Sequence, residues 1–253
     1  MTVKETTEKL ISWIKEWFKQ NGPNCNAILG ISGGKDSTIC AKLCVEALGA
    51  DKVIGILMPN GIQKDINYSE QVCSLLGIKY FVHNIDTTVQ AVINGISNNS
   101  VDLSKQSLIN LPARIRMSTL YAYSQSLNGR VVNTCNLSEE MVGYSTRWGD
   151  SVGDFSPLGN LTVTEILKIG DYLGLPKELV YKTPIDGLNI KEDGSYVTDE
   201  DNLGVTYAEI DSYLGINPTM IDKITWIKVD DLVYKSAFKR KPIPTFKVWD
   251  KIL

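Results

Sequence analysis

The run Ile28-Leu29-Gly30-Ile31-Ser32-Gly33-Gly34-Lys35-Asp36-Ser37 constrains this chain more than any other, because an apolar strand breaks into a Ser-Gly-Gly turn that opens directly onto a helix. Gly33 and Gly34 carry no Cβ and tolerate positive φ, so the backbone can approach an anion closely while the helix points its unpaired N–H groups at it. Ser32 and Ser37 add hydroxyl donors. Asp36 fits an anion site only if a cation accompanies the anion, since Mg²⁺ held between a carboxylate and phosphate oxygens reverses the local electrostatic logic. A nucleotide with its metal satisfies all four residue types.

Other glycine-rich phosphate loops do not fit. The P-loop needs Gly, four residues, then Gly-Lys-Ser/Thr, but position 29 is Leu and Asp36 follows Lys35. The dinucleotide fingerprint Gly-x-Gly-x-x-Gly is absent from this turn. Residues 32–37 instead resemble the Ser-Gly-Gly-x-Asp-Ser motif of the PP-loop ATP pyrophosphatases, which cleave ATP between the α and β phosphates and pass AMP to an acceptor.

Elsewhere the chain reads as α/β. Strands are expected at 26–31, 52–58, 79–85 and 130–135, with helical patterns at 37–48, 66–76, 86–96 and 108–128 between them. This alternation predicts a doubly wound, Rossmann-like parallel sheet with helices on both faces, and short apolar runs without polar alternation predict strands buried on both sides. Leu10, Ile14, Trp17 and Phe18 mark an extra amphipathic helix over 5–20, stopped at Gly22-Pro23. The C-terminal part is more helical, with capping boxes at Thr162-Val-Thr-Glu165 and Thr206-Tyr-Ala-Glu209 starting helices that run to Gly174 and Gly215. Residues 181–203 show no periodicity and read as a long connection, either a lid that orders on ligand binding or a surface excursion. We expect one domain over residues 1–253, large enough at 43% hydrophobic content to bury a substantial core.

Charge and reactive residues narrow the chemistry. A net charge of −3 provides no basic field for nucleic acid, so anionic ligands must be met by local Arg and Lys. No apolar run approaches the ~18 residues of a membrane span, and the charged N-terminus is unlike a signal peptide. A cytoplasmic protein without nucleic-acid or membrane partners is expected. The five cysteines form no Cys-x-x-Cys pair and read as reduced and structural. His83, the single histidine, falls in a strand-like run, which argues against histidine-based triads and zinc sites.

A second block carries chemistry. Val131-Val-Asn-Thr-Cys-Asn-Leu-Ser-Glu139 ends a strand near Thr134, and Glu139 supplies a second carboxylate on another crossover loop. By the rule for open α/β sheets, a ligand lies beyond the strand carboxyl ends, where Ser32 and Thr134 both fall. Asp36 and Glu139 could then share one Mg²⁺ with a triphosphate and offset charge on departing pyrophosphate.

Together with Gly143-Tyr-Ser-Thr-Arg-Trp-Gly-Asp150, Asp154-Phe-Ser-Pro-Leu158, Met58-Pro-Asn-Gly-Ile-Gln-Lys-Asp65, Ala113-Arg-Ile-Arg-Met117 and Thr198–Tyr207, these motifs resemble the ammonia-dependent NAD synthetases over about residues 10–250. The resemblance implies ATP-dependent amidation of deamido-NAD to NAD by ammonia through an adenylated nicotinate carboxylate, with Mg²⁺ as cofactor and a homodimeric assembly. Chain length matches the ammonia-dependent form, since glutamine-dependent forms carry an additional amidohydrolase domain. By motif position, Gly30, Ile31, Ser32, Gly33, Gly34, Lys35, Asp36 and Ser37 would cradle the ATP phosphates. Thr134 would contact ATP, Gln63 would lie near adenosine, and Asp36 with Glu139 would ligate the metal and act catalytically. Arg114, Arg147, Asp154 and Lys239 would contact deamido-NAD. Arg114 and Arg116 stand about 200° apart on a helix, so only Arg114 is assigned to the ligand and Arg116 to a salt bridge. Trp13, Trp17, Trp226 and Trp249 offer apolar surface for the dimer or for the core.

The chain departs from the family pattern at four places. Arg147 and Val163 stand where Lys is usual, Ile185 replaces a small hydroxyl residue, and Phe238-Lys239-Arg240 stands where the family has His-Lys-Arg. Lys35 could compensate for the lysine missing at 163, in which case Lys35→Ala would raise the KM for ATP. Two other functions remain open: a PP-loop enzyme adenylating a different carboxylate or a base, and a nucleotide sensor without turnover. The retained carboxylate pair argues against the sensor, and the absence of reactive Cys pairs argues against a tRNA-thiolating enzyme.

Overall fold

The computed structural model describes residues 1–182, 185–190, 196–216 and 220–246. The elements follow in order as α1 (Val3–Asn21), β1 (Asn26–Gly30), α2 (Lys35–Leu48), β2 (Val53–Leu57), α3 (Ile66–Leu76), β3 (Lys79–Val82), α4 (Asp86–Ser97), α5 (Lys105–Ser126) and β4 (Gly129–Val131). Then come α6 (Leu137–Val142), α7 (Val163–Tyr172), α8 (Lys177–Val180), the hairpin β5 (Ile185–Ile190) and β6 (Tyr196–Thr198), α9 (Asp199–Leu203), α10 (Tyr207–Tyr213) and α11 (Lys223–Ser236).

β1 to β4 form a parallel sheet in the order β3-β2-β1-β4, extended beyond β4 by a parallel bridge between Val132 and Phe155. Because successive strand residues point to opposite faces, Ala27 and Leu29 enter one core with Val53 and Leu57, while Ile28, Ile54 and Ile56 enter another. The first core is closed by Ile14 and Phe18 of α1, Ile39 and Leu43 of α2, and Ile166 and Ile169 of α7. The second is closed by Val89 of α4 and by α5 through Ile115 and Leu120. This is the expected doubly wound arrangement. β1 is flanked by β2 on one side and β4 on the other, so the chain reverses direction across the sheet at the carboxyl end of β1, where a crevice opens.

Two expectations about elements need correction. β2 is buried throughout, but β3 is an edge strand whose Lys79, Tyr80 and Val82 are exposed; one missing neighbour leaves one side open to water. Within 181–203, expected to be a long connection, the described residues build β5, β6 and α9, while 183–184 and 191–195 lie outside the described residues. Thr198 caps α9 by accepting a hydrogen bond from the Asp201 N–H, and Asp201 reaches back to the Thr198 N–H, a capping box that closes the segment. Ile185 begins β5.

A third apolar cluster joins α6, α7, α9, α10 and α11 through Val142, Val163, Leu203, Tyr207, Ile210 and Val229. Val163 is thus a core residue here. The five cysteines are buried and free of disulfides, as expected. His83 follows β3, its N–H bonded to the Leu57 carbonyl and its ring 3.4 Å from the Tyr123 hydroxyl. No helix among the described residues is long and apolar enough to cross a membrane.

Candidate active site

The loop from β1 to α2 forms the cradle. Gly33 has φ +75°, and a Cβ there would lie 2.8 Å from both the Ser69 backbone nitrogen and the Tyr68 Cβ. Only glycine fits both the left-handed backbone and the close approach of α3. Gly34 is the N-cap of α2, and its carbonyl accepts from the Ser37 and Thr38 hydroxyls at 3.1 and 2.7 Å. The Ser32 and Ser37 hydroxyl oxygens stand 3.2 Å apart, and the Gly34 N–H donates to the Ser32 Oγ. Gly30 and Ile31 lead into this turn from the sheet, and Ile31 N–H bonds to Ile56. Gly33→Ala is expected to weaken binding of a non-hydrolysable ATP analogue about tenfold, matching ~1–3 kcal/mol of strain for a side chain held in this backbone region. Calorimetric titration of the folded variant measures it.

The two candidate carboxylates converge across the crevice. Asp36 sits in the first turn of α2 and Glu139 in the first turn of α6, and Lys35 lies between them. Its Nζ is 2.8 Å from Asp36 Oδ2 and 3.7 Å from Glu139 Oε1, and 5.2 Å from the centroid of the Tyr207 ring. The Lys35 side chain is only 5% exposed. Burial works to lower its pKa, but the Asp36 and Glu139 carboxylates outweigh this and hold it above the ordinary lysine range. Burial and then the Asp36 charge push the Glu139 carboxyl up to about 8, against the opposing pull of Lys35.

Asn136 ties the pair together. It is fully buried, its Oδ1 caps α6 by accepting from the Glu139 N–H at 3.0 Å, and its Nδ2 donates to Asp36 Oδ1 at 3.1 Å. The spacing Asn136-x-x-Glu139 is an N-cap signal in the sequence, yet its second bond, to a residue 100 positions away, is visible only in the fold. Thr134 lies in the loop between β4 and α6, beyond the strand's carboxyl end.

These donors suit a hard divalent cation, since Mg²⁺ takes one or two carboxylates and fills its remaining positions with phosphate oxygens and water. Among the described residues no group of three His, Cys, Asp or Glu comes together that would hold a metal unaided. Any metal here must bring oxygen ligands with it.

The remaining candidates fall into separate groups. Gln63 donates to Asp65 Oδ1 at 3.0 Å in the loop after β2, beside Lys182, whose Nζ bonds Asp65 Oδ2 at 2.6 Å and lies over the Tyr68 ring. Lys182 carries no sequence motif, and only the fold brings it to the α3 end of the cradle. Arg114 is exposed on α5. Among the described residues Arg116 makes no salt bridge with a carboxylate; its Nε donates to the Met58 carbonyl at 3.1 Å, because the opposite face of α5 packs on the sheet where a strand end leaves that oxygen free. Burial lowers its pKa. Asp154 accepts from the Val131 N–H at 2.7 Å, stitching its loop to β4.

Arg147 and Lys239 line one cavity of about 400 Å³ with Glu140, Trp148 and Arg240. The Arg147 guanidinium stacks between the Trp148 and Phe238 rings at 4.9 and 5.7 Å, its terminal nitrogen donates to Lys241, and its Nε is buried without a partner. Glu140 Oε1 is likewise buried and unpaired. Phe238 therefore serves as a stacking surface. Lys239 donates to the Gly143 and Ser145 carbonyls at 2.7 and 2.9 Å, so two of its three protons are held by main chain. Trp148 has φ +63°, a left-handed conformation that is costly for a side chain of this size. Adjacent residues of α6 thus face two sites: Glu139 the Lys35–Asp36 group and Glu140 this cavity.

Comparison with known proteins matches this architecture. The family model for NAD synthase matches residues 6–243. An NH(3)-dependent NAD(+) synthetase from Methanocaldococcus jannaschii is 37% identical over 257 residues, covering 95% of this chain and 97% of its own. Among solved structures, an NMN synthetase from Francisella tularensis superposes with a TM-score of 0.85 at 32% identity, covering 97% of this chain and 98% of its own. An NH3-dependent NAD synthetase from Campylobacter jejuni superposes with a TM-score of 0.80 at 30% identity, covering 98% of this chain and all of its own. With a family model spanning nearly the whole chain and a relative of this identity aligned end to end, the chain belongs to the NAD synthase family.

Proposed function

We propose that this protein amidates the nicotinate carboxylate of deamido-NAD with ammonia, consuming ATP and releasing AMP and pyrophosphate. The observation that carries the reading is the convergence of Asp36 and Glu139, from the first turns of the helices that follow β1 and β4, beside the Ser32–Ser37 cradle. A carboxylate oxygen attacks the α-phosphorus of ATP, and the bond to the β-phosphate oxygen breaks with departure of pyrophosphate. Ammonia then adds to the carbonyl carbon of the acyl adenylate, AMP leaves with the electrons of the C–O bond, and the nitrogen loses a proton. Converting the carboxylate to a mixed anhydride replaces an impossible oxide leaving group with a stabilised phosphate.

The chain's own part is binding and alignment. Gly30, Ile31, Ser32, Gly33, Gly34, Lys35 and Ser37 would receive the triphosphate, with Thr134 and Gln63 at its flanks. Asp36 and Glu139 would hold Mg²⁺, which would neutralise charge on the departing pyrophosphate. Arg147 would engage deamido-NAD through its unpartnered Nε, with Lys239 beside it and Arg114 and Asp154 as further contacts. We place the enzyme in the cytoplasm, with its ATP supply.

A second substrate reading has support in the NMN synthetase structure: the acid amidated could be nicotinate mononucleotide. The test supplies purified protein with ATP, Mg²⁺, ammonium and either deamido-NAD or nicotinate mononucleotide, and follows amide formation and pyrophosphate release. NAD from deamido-NAD at the higher kcat/KM supports the first reading; preference for the mononucleotide replaces it. Pyrophosphate with neither acid would overturn both.

A homodimer is also part of this proposal. Trp17 does not support it, since it stacks on Phe155 at 4.3 Å in the core, and Trp249 lies outside the described residues. Trp13 and Trp226 are half-exposed. The exposed Tyr80 and Val82 of edge strand β3, with Leu108 and Ile109 of α5, offer apolar surface of the kind a second copy covers. Light scattering should give about twice the 28.0 kDa chain mass.

A further inference from the structure

Position 35 is the unspecified position of the Ser-Gly-Gly-x-Asp-Ser motif, yet in this chain it carries a charge that reaches the centre of the acidic pair. We propose that the Lys35 ammonium is a built-in counter-ion, occupying the cation position between Asp36 and Glu139 and yielding it only to a divalent metal that arrives with a nucleotide. The proposal rests on the reading of Asp36 and Glu139 as the metal-holding pair.

The geometry is specific. Lys35 and Asp36 are neighbours in sequence, but Glu139 comes from the other side of the crevice, and the ammonium spans both at 2.8 and 3.7 Å. The aromatic face of Tyr207 lies 5.2 Å away, and that residue is buried as well. A lysine ammonium is a compact point charge with three donors on a flexible stem, so it can stand in for a small cation and can also move. It cannot share the gap: a second positive ion within a few ångströms in a poorly screened site is strongly repelled.

A bare divalent ion entering this site must therefore displace the ammonium. That leaves a buried lysine without partners, an arrangement that is strongly unfavourable. A metal carried on a triphosphate changes the balance, because the phosphates settle in the Ser32–Ser37 cradle at the start of the helix whose first residue is Lys35. The displaced ammonium then finds anionic oxygens close to its own backbone. Metal and nucleotide affinities become coupled, each strengthening the other by the same factor. The pair supplies two carboxylates, so a cation held there would complete its shell with the nucleotide's oxygens and water.

The test is direct Mn²⁺ binding to the full chain without nucleotide, read by electron paramagnetic resonance or calorimetry, in the parent protein, Lys35→Met and Lys35→Gln. The glutamine variant keeps a hydrogen-bond donor near Asp36 if the methionine variant folds poorly. We expect either variant to bind Mn²⁺ at least tenfold tighter than the parent, and Lys35→Met/Glu139→Gln to lose the gain. Equal Mn²⁺ affinity in parent and folded variants, with binding still weakened by Glu139→Gln, would overturn the counter-ion proposal and leave the metal pair intact. No Mn²⁺ binding by any of them, even with a non-hydrolysable ATP analogue present, would overturn the metal pair itself. A lysine that served only to bind phosphate would leave nucleotide-free Mn²⁺ affinity unchanged.

Discussion

Glu139→Gln is expected to lower kcat/KM for pyrophosphate release by roughly 10³-fold, about 4 kcal/mol at 1.36 kcal/mol per factor of ten, while leaving the thermal midpoint of the ligand-free protein unchanged or higher. The two halves of this result have one cause. The Glu139 carboxyl is isosteric with the amide, and its position is fixed by Asn136, which caps α6 and holds Asp36, so the variant keeps the local structure. It loses the negative charge that would hold a cation against the triphosphate. The same charge is a burden to the free protein: burial and Asp36 push the carboxyl up to about 8, so folding disfavours its ionised form.

The sign of the pH effect follows. A carboxyl whose pKa is raised by folding contributes fully only below its unfolded value, and that contribution disappears as pH rises toward 8. The parent protein should therefore lose ground to Glu139→Gln between about pH 5 and pH 8, and thermal melts across that range measure it. A variant that melts well below the parent, or that keeps its turnover, would sink this account of Glu139.

How much of this was legible in the sequence depends on how locally each feature is encoded. The cradle could be read because six adjacent residues specify it and its glycine geometry is set by neighbours in the chain. The order of strands and helices was readable from apolar periodicity, and the helices at Thr162 and Thr206 from their caps, which are bonds across three residues. What escaped depends on contacts between distant segments. In the sequence Lys35 reads as a spare cation for phosphate; its engagement with Glu139 exists only because α2 and α6 meet across the crevice. Sequence spacing assigns Arg116 to a carboxylate, but the sheet end offers a carbonyl. Residues 181–203 showed no period because a short hairpin and a short helix follow one another before either pattern can repeat. The Gly143 and Ser145 carbonyls that hold two of the Lys239 protons lie 96 and 94 positions away and leave no local signal.

The largest effect on stability is expected at Asp211, which no motif singles out. It lies on α10, fully buried, and accepts the Ser138 hydroxyl proton at 2.5 Å through one oxygen and the Thr164 N–H at 2.8 Å through the other. Ser138 in turn accepts the Val163 N–H at 3.0 Å. One carboxylate therefore joins α10, α6 and the start of α7, where a negative charge also complements the helix dipole. Asp211→Ala strands the buried Ser138 hydroxyl, at a cost of about 1–3 kcal/mol, leaves the partly buried Thr164 N–H without its acceptor, and removes a charge the helix end was built around. We expect a loss of about 3–5 kcal/mol in urea unfolding, which for a chain of this size lowers the thermal midpoint by roughly 6–20 °C. Asp211→Asn keeps an acceptor for one of the two donors and should lose about half as much. Because Ser138 immediately precedes Glu139 on α6, loosening this junction also releases the carboxylate that faces Lys35. Turnover in Asp211→Asn should then fall more than its folded fraction does, whereas strict proportionality between the two would mean that Asp211 supports the third apolar cluster alone and does not set the position of Glu139.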